Sequence, residues 1–511
     1  MISRASEAWS RGQVVGRTSV KRPAALQVAP DGGAFLIWRN LEKRLELARI
    51  GEDGEVLLNR VLSVGAGEAR DPQLQVVADG RLSLLWHEGG QRRSTVRYVL
   101  LEPDGTLVDQ PQVLSDPASP ILDPPRLVCD GDDRCNALWA DQAGIQWAVL
   151  SAGGRLLKAP TLLAPEGRFP AVRADNQDRL HLAWAWRQRA NVWVIHHVVL
   201  DPVTGALGQP QELAQVFLRH GQRLGELTVG LTQETGYVWW GIQDYAGGSS
   251  SSEYARFSLE SSRQREVEPL VLRRGRNPAG VVSVMAPQTG LLVALSESVP
   301  DSAGVARSQI AVFGLEQRVR EDVVTASSQA SLAPTLAVDG RSHLHLAWLE
   351  SAGFRQYQVA YASTAPQVTE NYNALTLLDI ANGMFSSVFR LSTLLVTLVV
   401  TLMKWVSIPF LALLGYHLVT SEETLDTVRS RVAIVTVLVV QVALTFVLPP
   451  SIGKGVLWSS LRWTVPSVSA VATALLTAGF VRRRQETHLF GVFFLFAAVN
   501  SVLQMVAFLL L

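Results

Sequence analysis

Charged side chains recur at fixed distances from a Pro and a Trp along the first two thirds of this chain. An Arg stands one to three residues before a Pro at Arg22, Arg70, Arg168 and Arg276, and Arg223 is similarly placed in a weaker copy. An acid stands two residues after a Trp, or after the Leu that replaces it, at Glu88, Asp141, Glu297 and Glu350. A guanidinium offers a planar fork that holds a carboxylate through two parallel bonds. These residues describe either a charged rim that recognises a polar or carboxylated ligand, or internal pairs that staple neighbouring units together. Stapling is the simpler use of a feature that recurs in most copies.

Other residue types offer less. His181 and His345 hold the same place in two HLAW segments and suit packing or a hydrogen bond inside the repeat. His196 and His197 are adjacent in a strand and point to opposite faces, which disfavours a shared metal. Asp130, Gly131, Asp132 and Asp133 lack the full ligand set of a calcium loop, and turn chemistry accounts for them. The two cysteines of the chain, Cys129 and Cys135, flank that turn. Facing positions on paired strands bring Cβ atoms within disulfide range, so a cross-strand bridge and a pair of buried thiols are both open. A bridge would place this segment in an oxidising compartment. No Gly-rich phosphate loop, nucleophile elbow or HExxH motif occurs, and no metal or other cofactor is expected.

A repeat must position these residues. Its copies read PAALQVAPDGGAFLIW from Pro23, PQLQVVADGRLSLLW from Pro72, PRLVCDGDDRCNALW from Pro125 and PAVRADNQDRLHLAW from Pro170. Degenerate copies start at Leu224 and Pro278, and a clean one, PTLAVDGRSHLHLAW, at Pro334. Trp38, Trp86, Trp139, Trp184, Trp239 or Trp240, Leu295 and Trp348 mark the end of the second run in each copy. The spacing, about 45 to 55 residues, is that of a four-stranded propeller blade. Alternation with period 2 makes each run a strand, and the Trp fills the space between neighbouring blades. Residues 1–365 are therefore expected to form an all-β seven-bladed β-propeller. The segment 13–20, QVVGRTSV, reads as a fourth strand without its first three, and the last copy has three strands ending near Tyr361. Pairing 13–20 with 356–361 would close the ring and remove both free edges.

With an Asp-Gly hairpin before a strand ending in Trp, the repeat resembles the sialidase-like, or BNR-type, β-propellers over about residues 23–360. The strict Asp-box of that family, Ser-x-Asp-x-Gly-x-x-Trp, is absent, because Asp31 to Trp38 and Asp178 to Trp184 have other spacings. Sialidases need an arginine triad, a Tyr/Glu nucleophile pair and a catalytic Asp. These cannot be assigned to positions in this chain, so the activity is not carried over. WD40 repeats match less well, since no Trp-Asp pair ends the blades.

The C-terminal part has a different character. Residues 391–511 hold eight of the 46 Lys/Arg and four of the 45 Asp/Glu, so the net charge of +1 combines +4 there with −3 over the rest. That balance gives no case for nucleic acid. After a linker and interfacial helix at 366–390, apolar stretches at about 391–414, 431–449, 463–481 and 489–511 approach the 20 residues a spanning helix needs. An all-α transmembrane domain of four helices is expected, with the first interrupted by Lys404 and Pro409. Gln441, Asn500 and Gln504, with the seam Ala470, Ala474 and Ala478, read as helix-to-helix packing.

Arg429, Arg431, Arg482, Arg483 and Arg484 fall in the outer loops, against Lys454 and Arg462 in the middle one. The Arg-rich loops are expected in the cytoplasm, which puts the propeller outside. Residues 1–16 hold no signal-peptide core, so either a leader or anchor precedes Met1, the preferred expectation, or the propeller is cytoplasmic. The functional expectation is a membrane-anchored, non-catalytic module that recognises a protein, peptide or glycan, or that scaffolds a membrane complex or homo-oligomer. The alternatives are a membrane-tethered sialidase-like glycoside hydrolase and a subunit of a membrane transport complex.

Overall fold

Alternating runs become strands, and the strands assemble into seven four-stranded antiparallel sheets. The computed structural model describes residues 6–65, 67–90, 93–245, 249–259, 270–275, 282–286, 290–300, 305–315, 322–374, 377–447, 464–483 and 487–510. The chain divides into two compact units, Met1–Ala374 and Leu375–Leu511. In the first, the innermost strands are Ala25–Val28, Ala69–Val76, Asp123–Cys129, Arg168–Ala174, Gln222–Leu231, Val282–Ala286 and Ser331–Val338, which define blades 1 to 7. Each innermost strand lies beside the next, and the seventh lies beside the first, so the sheets form a closed ring around a channel.

The ring is closed by a strand from the other end of the unit. Gln13–Thr18 completes blade 7 by pairing antiparallel with Tyr357–Ser363, Gln13 opposite Tyr361 and Thr18 opposite Tyr357. A second clasp lies just before it: Ser10 N–H donates to the Ser363 carbonyl at 2.8 Å, and Ser363 N–H donates to Ser10 Oγ at 3.0 Å. The Trp marks are buried between blades. Trp86 shares a core with Phe35, Ile37 and Leu47 of blade 1, and Trp139 with Leu85 and Tyr98 of blade 2. Cys129 and Cys135 face each other across the blade 3 hairpin and are joined by a disulfide.

Why a Pro opens the repeat follows from the ladder. Proline has no N–H to donate and is tolerated in a sheet at an edge or a bulge. The register shifts between Arg70 and Gln73, Asp123 and Arg126, Arg168 and Ala171, and Leu332 and Thr335, which sets Pro72, Pro125, Pro170 and Pro334 inside bulges. The preceding residue takes the left-handed backbone at Asp71 (φ 47°), Phe169 (φ 55°) and Ala333 (φ 50°). Because this strain recurs, it belongs to the repeat. Blade 5 keeps the bulge but fills it with Gly225 and Glu226.

Helix α1 (Pro366–Asn373) belongs to this unit, although its residues read as linker. Asn373 Oδ1 accepts from Arg11 N–H at 3.0 Å, Asn373 Nδ2 donates to the Trp9 carbonyl at 3.1 Å, and Tyr372 O–H donates to the Gly54 carbonyl at 3.0 Å.

The second unit contains α2 (Leu377–Thr420), α3 (Val428–Val447), α4 (Thr464–Arg483) and α5 (Leu489–Leu510). The expected interfacial helix and first span are one continuous helix of 44 residues with Pro409 inside it and Lys404 exposed. At 1.5 Å per residue α2 is about 66 Å long, more than twice the thickness of a bilayer core. Three helices, not the expected four, hold described segments long and apolar enough to cross a membrane: Met403–Thr420, Val428–Val447 and Thr464–Arg483. In α5 the described residues give a shorter apolar segment, Leu489–Gln504.

Gln441, Asn500 and Gln504 are fully buried, as packing required, and Gln504 Nε2 donates to Asn500 Oδ1 at 3.3 Å. The seam on α4 is not the alanines, since Ala474 and Ala478 are exposed. Ser469, Thr473 and Thr477, one position earlier, are buried instead.

Gly16, in the closing strand, lies against the Trp38 indole, and a Cβ there would run into the ring. Gly16→Ala is expected to destabilise the propeller by about 1 to 3 kcal/mol, seen as a lower thermal unfolding midpoint. An unchanged midpoint would show that the closing strand is not seated on Trp38.

Candidate functional site

The loops before the innermost strands and after the second strands meet on one face of the ring. There blades 1, 2 and 3 enclose a cavity of about 430 Å³ lined by Arg22, Arg39, Arg70, Asp71, His87 and Asp123, with Trp38 in its wall. Local structure explains each position. Arg22 leads into the first innermost strand, Arg39 ends the strand Ala34–Arg39, Arg70 and Asp71 start the blade 2 bulge, and Asp123 starts that of blade 3.

The charges form a network centred on the channel mouth. Arg22 reaches Glu226 through Nη1 and lies 3.5 Å from Asp71 through Nε. Arg126 Nη2 donates to the other Glu226 oxygen at 2.8 Å, and its Nε donates to the Pro170 carbonyl at 3.2 Å. Asp71 Oδ2 is 3.5 Å from His87 Nδ1. Burial pushes the Asp71 carboxyl up, but His87, Arg22 and Arg126 outweigh it, and its pKa falls below the ordinary value. Burial also draws the Arg126 guanidinium down to about 10, still charged at neutral pH. Nearby, Lys43 and Arg70 hold the Glu68 carboxyl well below the usual range, at about 2. Arg39 reaches the same carboxylate at 3.4 Å.

Cations outnumber anions around the cavity, with Arg22, Arg39 and Arg70 against Asp71 and Asp123. Trp38 Nε1, Arg39 Nε and Arg70 Nε are buried N–H groups with no hydrogen-bond partner. A buried unpaired donor costs about 1 to 3 kcal/mol. With that charge balance the cavity suits an anionic group.

Of the residues singled out by pattern, Arg22 and Arg70 line this cavity, as does Asp123, the partner of Arg168. Arg168 holds Asp123 through both nitrogens, Nε at 2.7 Å and Nη2 at 2.9 Å, a pair between blades 4 and 3. Arg223 lies over the Tyr245 ring, its guanidinium carbon 5.2 Å from the centroid. Arg276 falls outside the described residues. The patterned acids are used inside their own blades. Glu88 accepts from Gly67 N–H at 2.6 Å and pairs with Arg97. Asp141 accepts from Ala143 N–H at 2.9 Å. Glu350 accepts from Ser331 Oγ at 2.8 Å, Trp348 Nε1 at 3.1 Å and Ser327 Oγ. Glu297 stands in the second strand of blade 6, opposite Gln309.

Pattern reading missed Arg39, Asp71, His87, Arg126 and Glu226. Arg39 and His87 each follow the repeat's Trp directly, a signal that was available in the sequence. The histidines of the two HLAW segments are core residues. His181 Nε2 lies 3.2 Å from Asp175 Oδ2 and its Nδ1 3.1 Å from His197 Nε2, while His345 Nδ1 is 2.7 Å from Tyr361 Oη. Among the described residues no group of His, Cys, Asp and Glu could hold a metal ion.

No protein-family model matches the chain, and no curated protein matches it. Solved structures similar to the propeller include a protein of unknown function from Dyadobacter fermentans, 12% identical with a TM-score of 0.41, over 69% of this chain and 98% of that one. Another is the BP39L lectin from Burkholderia pseudomallei, 13% identical with a TM-score of 0.45, over 67% and 98%. An ulvan lyase is 8% identical with a TM-score of 0.48, over 70% and 95%. The likeness concerns fold alone.

Burial pushes His345 down to about 4, and burial with His181 nearby pushes His197 down to about 3. The folded chain keeps both neutral, while the unfolded chain takes up protons below its ordinary value near 6.5. Their contribution is intact above pH 6.5 and is lost as the pH falls towards 4. The thermal midpoint of the propeller is expected to drop steadily between pH 7 and 4.5, and less steeply in the His197→Gln, His345→Gln double variant. Identical slopes would exclude these two groups as the cause.

Proposed function

We propose that this protein is a membrane-anchored β-propeller that recognises an acidic glycan, without catalysis, at the extracytoplasmic surface. The observation that carries the reading is the cavity of about 430 Å³ lined by Arg22, Arg39 and Arg70, three guanidiniums against the carboxylates of Asp71 and Asp123. Such a site rewards a ligand rich in oxygen acceptors and penalises an apolar one. The arginines suit a carboxylate or sulfate.

Membrane attachment rests on the three helices of spanning length and composition. Sidedness rests on charge. Leu425 N–H donates to the Thr487 carbonyl and Leu489 N–H to the Glu423 carbonyl, which brings the α2–α3 and α4–α5 connections to one end of the helical unit. Arg429, Arg431, Arg482 and Arg483 are exposed near that end, and positive loops favour the cytoplasm. Since α2 enters from the opposite end, the propeller that precedes it is assigned outside.

A membrane-tethered, sialidase-like hydrolase is the second reading, favoured by the convergence of Arg22 and Arg126 with the carboxylates of Asp71 and Glu226. Release of a fluorescent product from a sialoside by the purified chain would decide for it.

Two measurements test the main reading. Full-length protein in detergent is expected to bind uronate oligosaccharides and not neutral dextran, with Arg39→Ala and Arg70→Ala each weakening binding about tenfold or more, the value of a charged hydrogen bond. Equal binding by these variants would remove the cavity from the site. Protease added to intact cells is expected to digest the propeller; full protection would place it in the cytoplasm.

A further inference from the structure

The Glu226 contact differs in kind from the other ion pairs of the ring. Arg168 and Asp123 join neighbouring blades 4 and 3, as a staple should. Glu226, in blade 5, instead reaches Arg126 of blade 3 and Arg22 at the entrance to blade 1, so one carboxylate spans the channel between strands that are not neighbours. Its position is equally unusual. In blades 2, 3, 4 and 7 the same bulge position is Pro72, Pro125, Pro170 and Pro334, so nothing in the repeat requires an acid there.

We propose that Arg22 and Arg126 form a carboxylate-binding subsite, and that Glu226 occupies it as a tethered stand-in for the carboxylate of the ligand. Each Glu226 oxygen takes one guanidinium, the arrangement that a free carboxylate would adopt. Arg126 is anchored through its Nε to the Pro170 carbonyl, so it stays in place when the carboxylate leaves. The Glu226 and Arg22 side chains are 30% and 48% exposed, so this half of the contact is open to solvent. Arg22 and Asp71 also line the cavity of blades 1 to 3, so a ligand seated there reaches the subsite without rearranging the ring. The ligand class is an oligosaccharide or other polyol bearing a carboxylate. This rests on the recognition function proposed above, with one difference: the subsite can be tested without a glycan.

The experiment uses the full chain in detergent, with sodium acetate and sodium chloride compared at equal ionic strength. Glu226→Ala leaves the two arginines facing an empty place, and acetate is expected to raise its thermal midpoint by several degrees over chloride while leaving the wild type unmoved. The Glu226→Ala, Arg126→Ala double variant is expected to lose that response. Equal midpoints of Glu226→Ala in the two salts would overturn the subsite. In the second arm, Glu226→Gln, which keeps the volume and drops the charge, is expected to bind uronate oligosaccharides about tenfold more tightly than wild type, the gain of a charge-assisted bond no longer contested. Tighter binding by Glu226→Gln supports the stand-in role even if Glu226→Ala fails to fold, and binding by Glu226→Gln that is equal to or weaker than that of a wild type that does bind overturns it. An acetate response with no uronate binding by any variant leaves the subsite standing and removes the glycan reading alone.

Discussion

The pairing of Gln13–Thr18 with Tyr357–Ser363 is the contact on which the rest of this protein depends. An open ring of sheets would expose an unpaired strand edge at blade 7, a template for aggregation. It would also leave the cavity without a wall, because the closing strand runs directly into Thr18, Val20 and Arg22, all of which line it. The same short stretch, Gln13 to Arg22, therefore sets both the integrity of the ring and the placing of the first arginine of the site. Trp38 links the two roles. One edge of its indole meets Gly16 of the closing strand, while the residue belongs to the cavity wall.

Chemistry at the mouth comes from a structural compromise in each blade. A Pro in an innermost strand demands a bulge, and the bulge turns the adjoining side chains out of the ladder and towards the channel face. Where the blade keeps its Pro, that position brings no charge. Where blade 5 replaces it with Glu226, a charge enters the channel and finds arginines from two distant blades. The acids that follow the Trp marks took the opposite course and became turn ligands, with Asp141 and Glu350 bound to groups of their own blades.

Seven blades, their strand order and the closing strand were legible because Pro, Trp and Asp-Gly signals repeat and because alternation with period 2 has few structural alternatives. The network at the mouth was much less so. Glu226 sits in the most degenerate copy, Arg126 reads as one more residue of an alternating run, and their meeting spans blades, so no local pattern encodes it. In the helical unit, Lys404 and Pro409 read as interruptions, yet α2 continues through both because neither removes enough backbone hydrogen bonds to end a helix of 44 residues. The buried stripe of α4 was misplaced by one position. Ala470, Ala474 and Ala478 have the same spacing as Ser469, Thr473 and Thr477, and composition favoured the smaller side chain over the more buried one.

The bonds of Asn373 have a mechanical meaning. Tyr357–Ser363 continues along the chain to α1, and Asn373, its last residue, is bonded to Trp9 and Arg11 just before the strand that pairs with it. Tension applied to the chain beyond α1 is thus shared between both partners of the closing pair. Neither strand of the closing pair carries such a load alone.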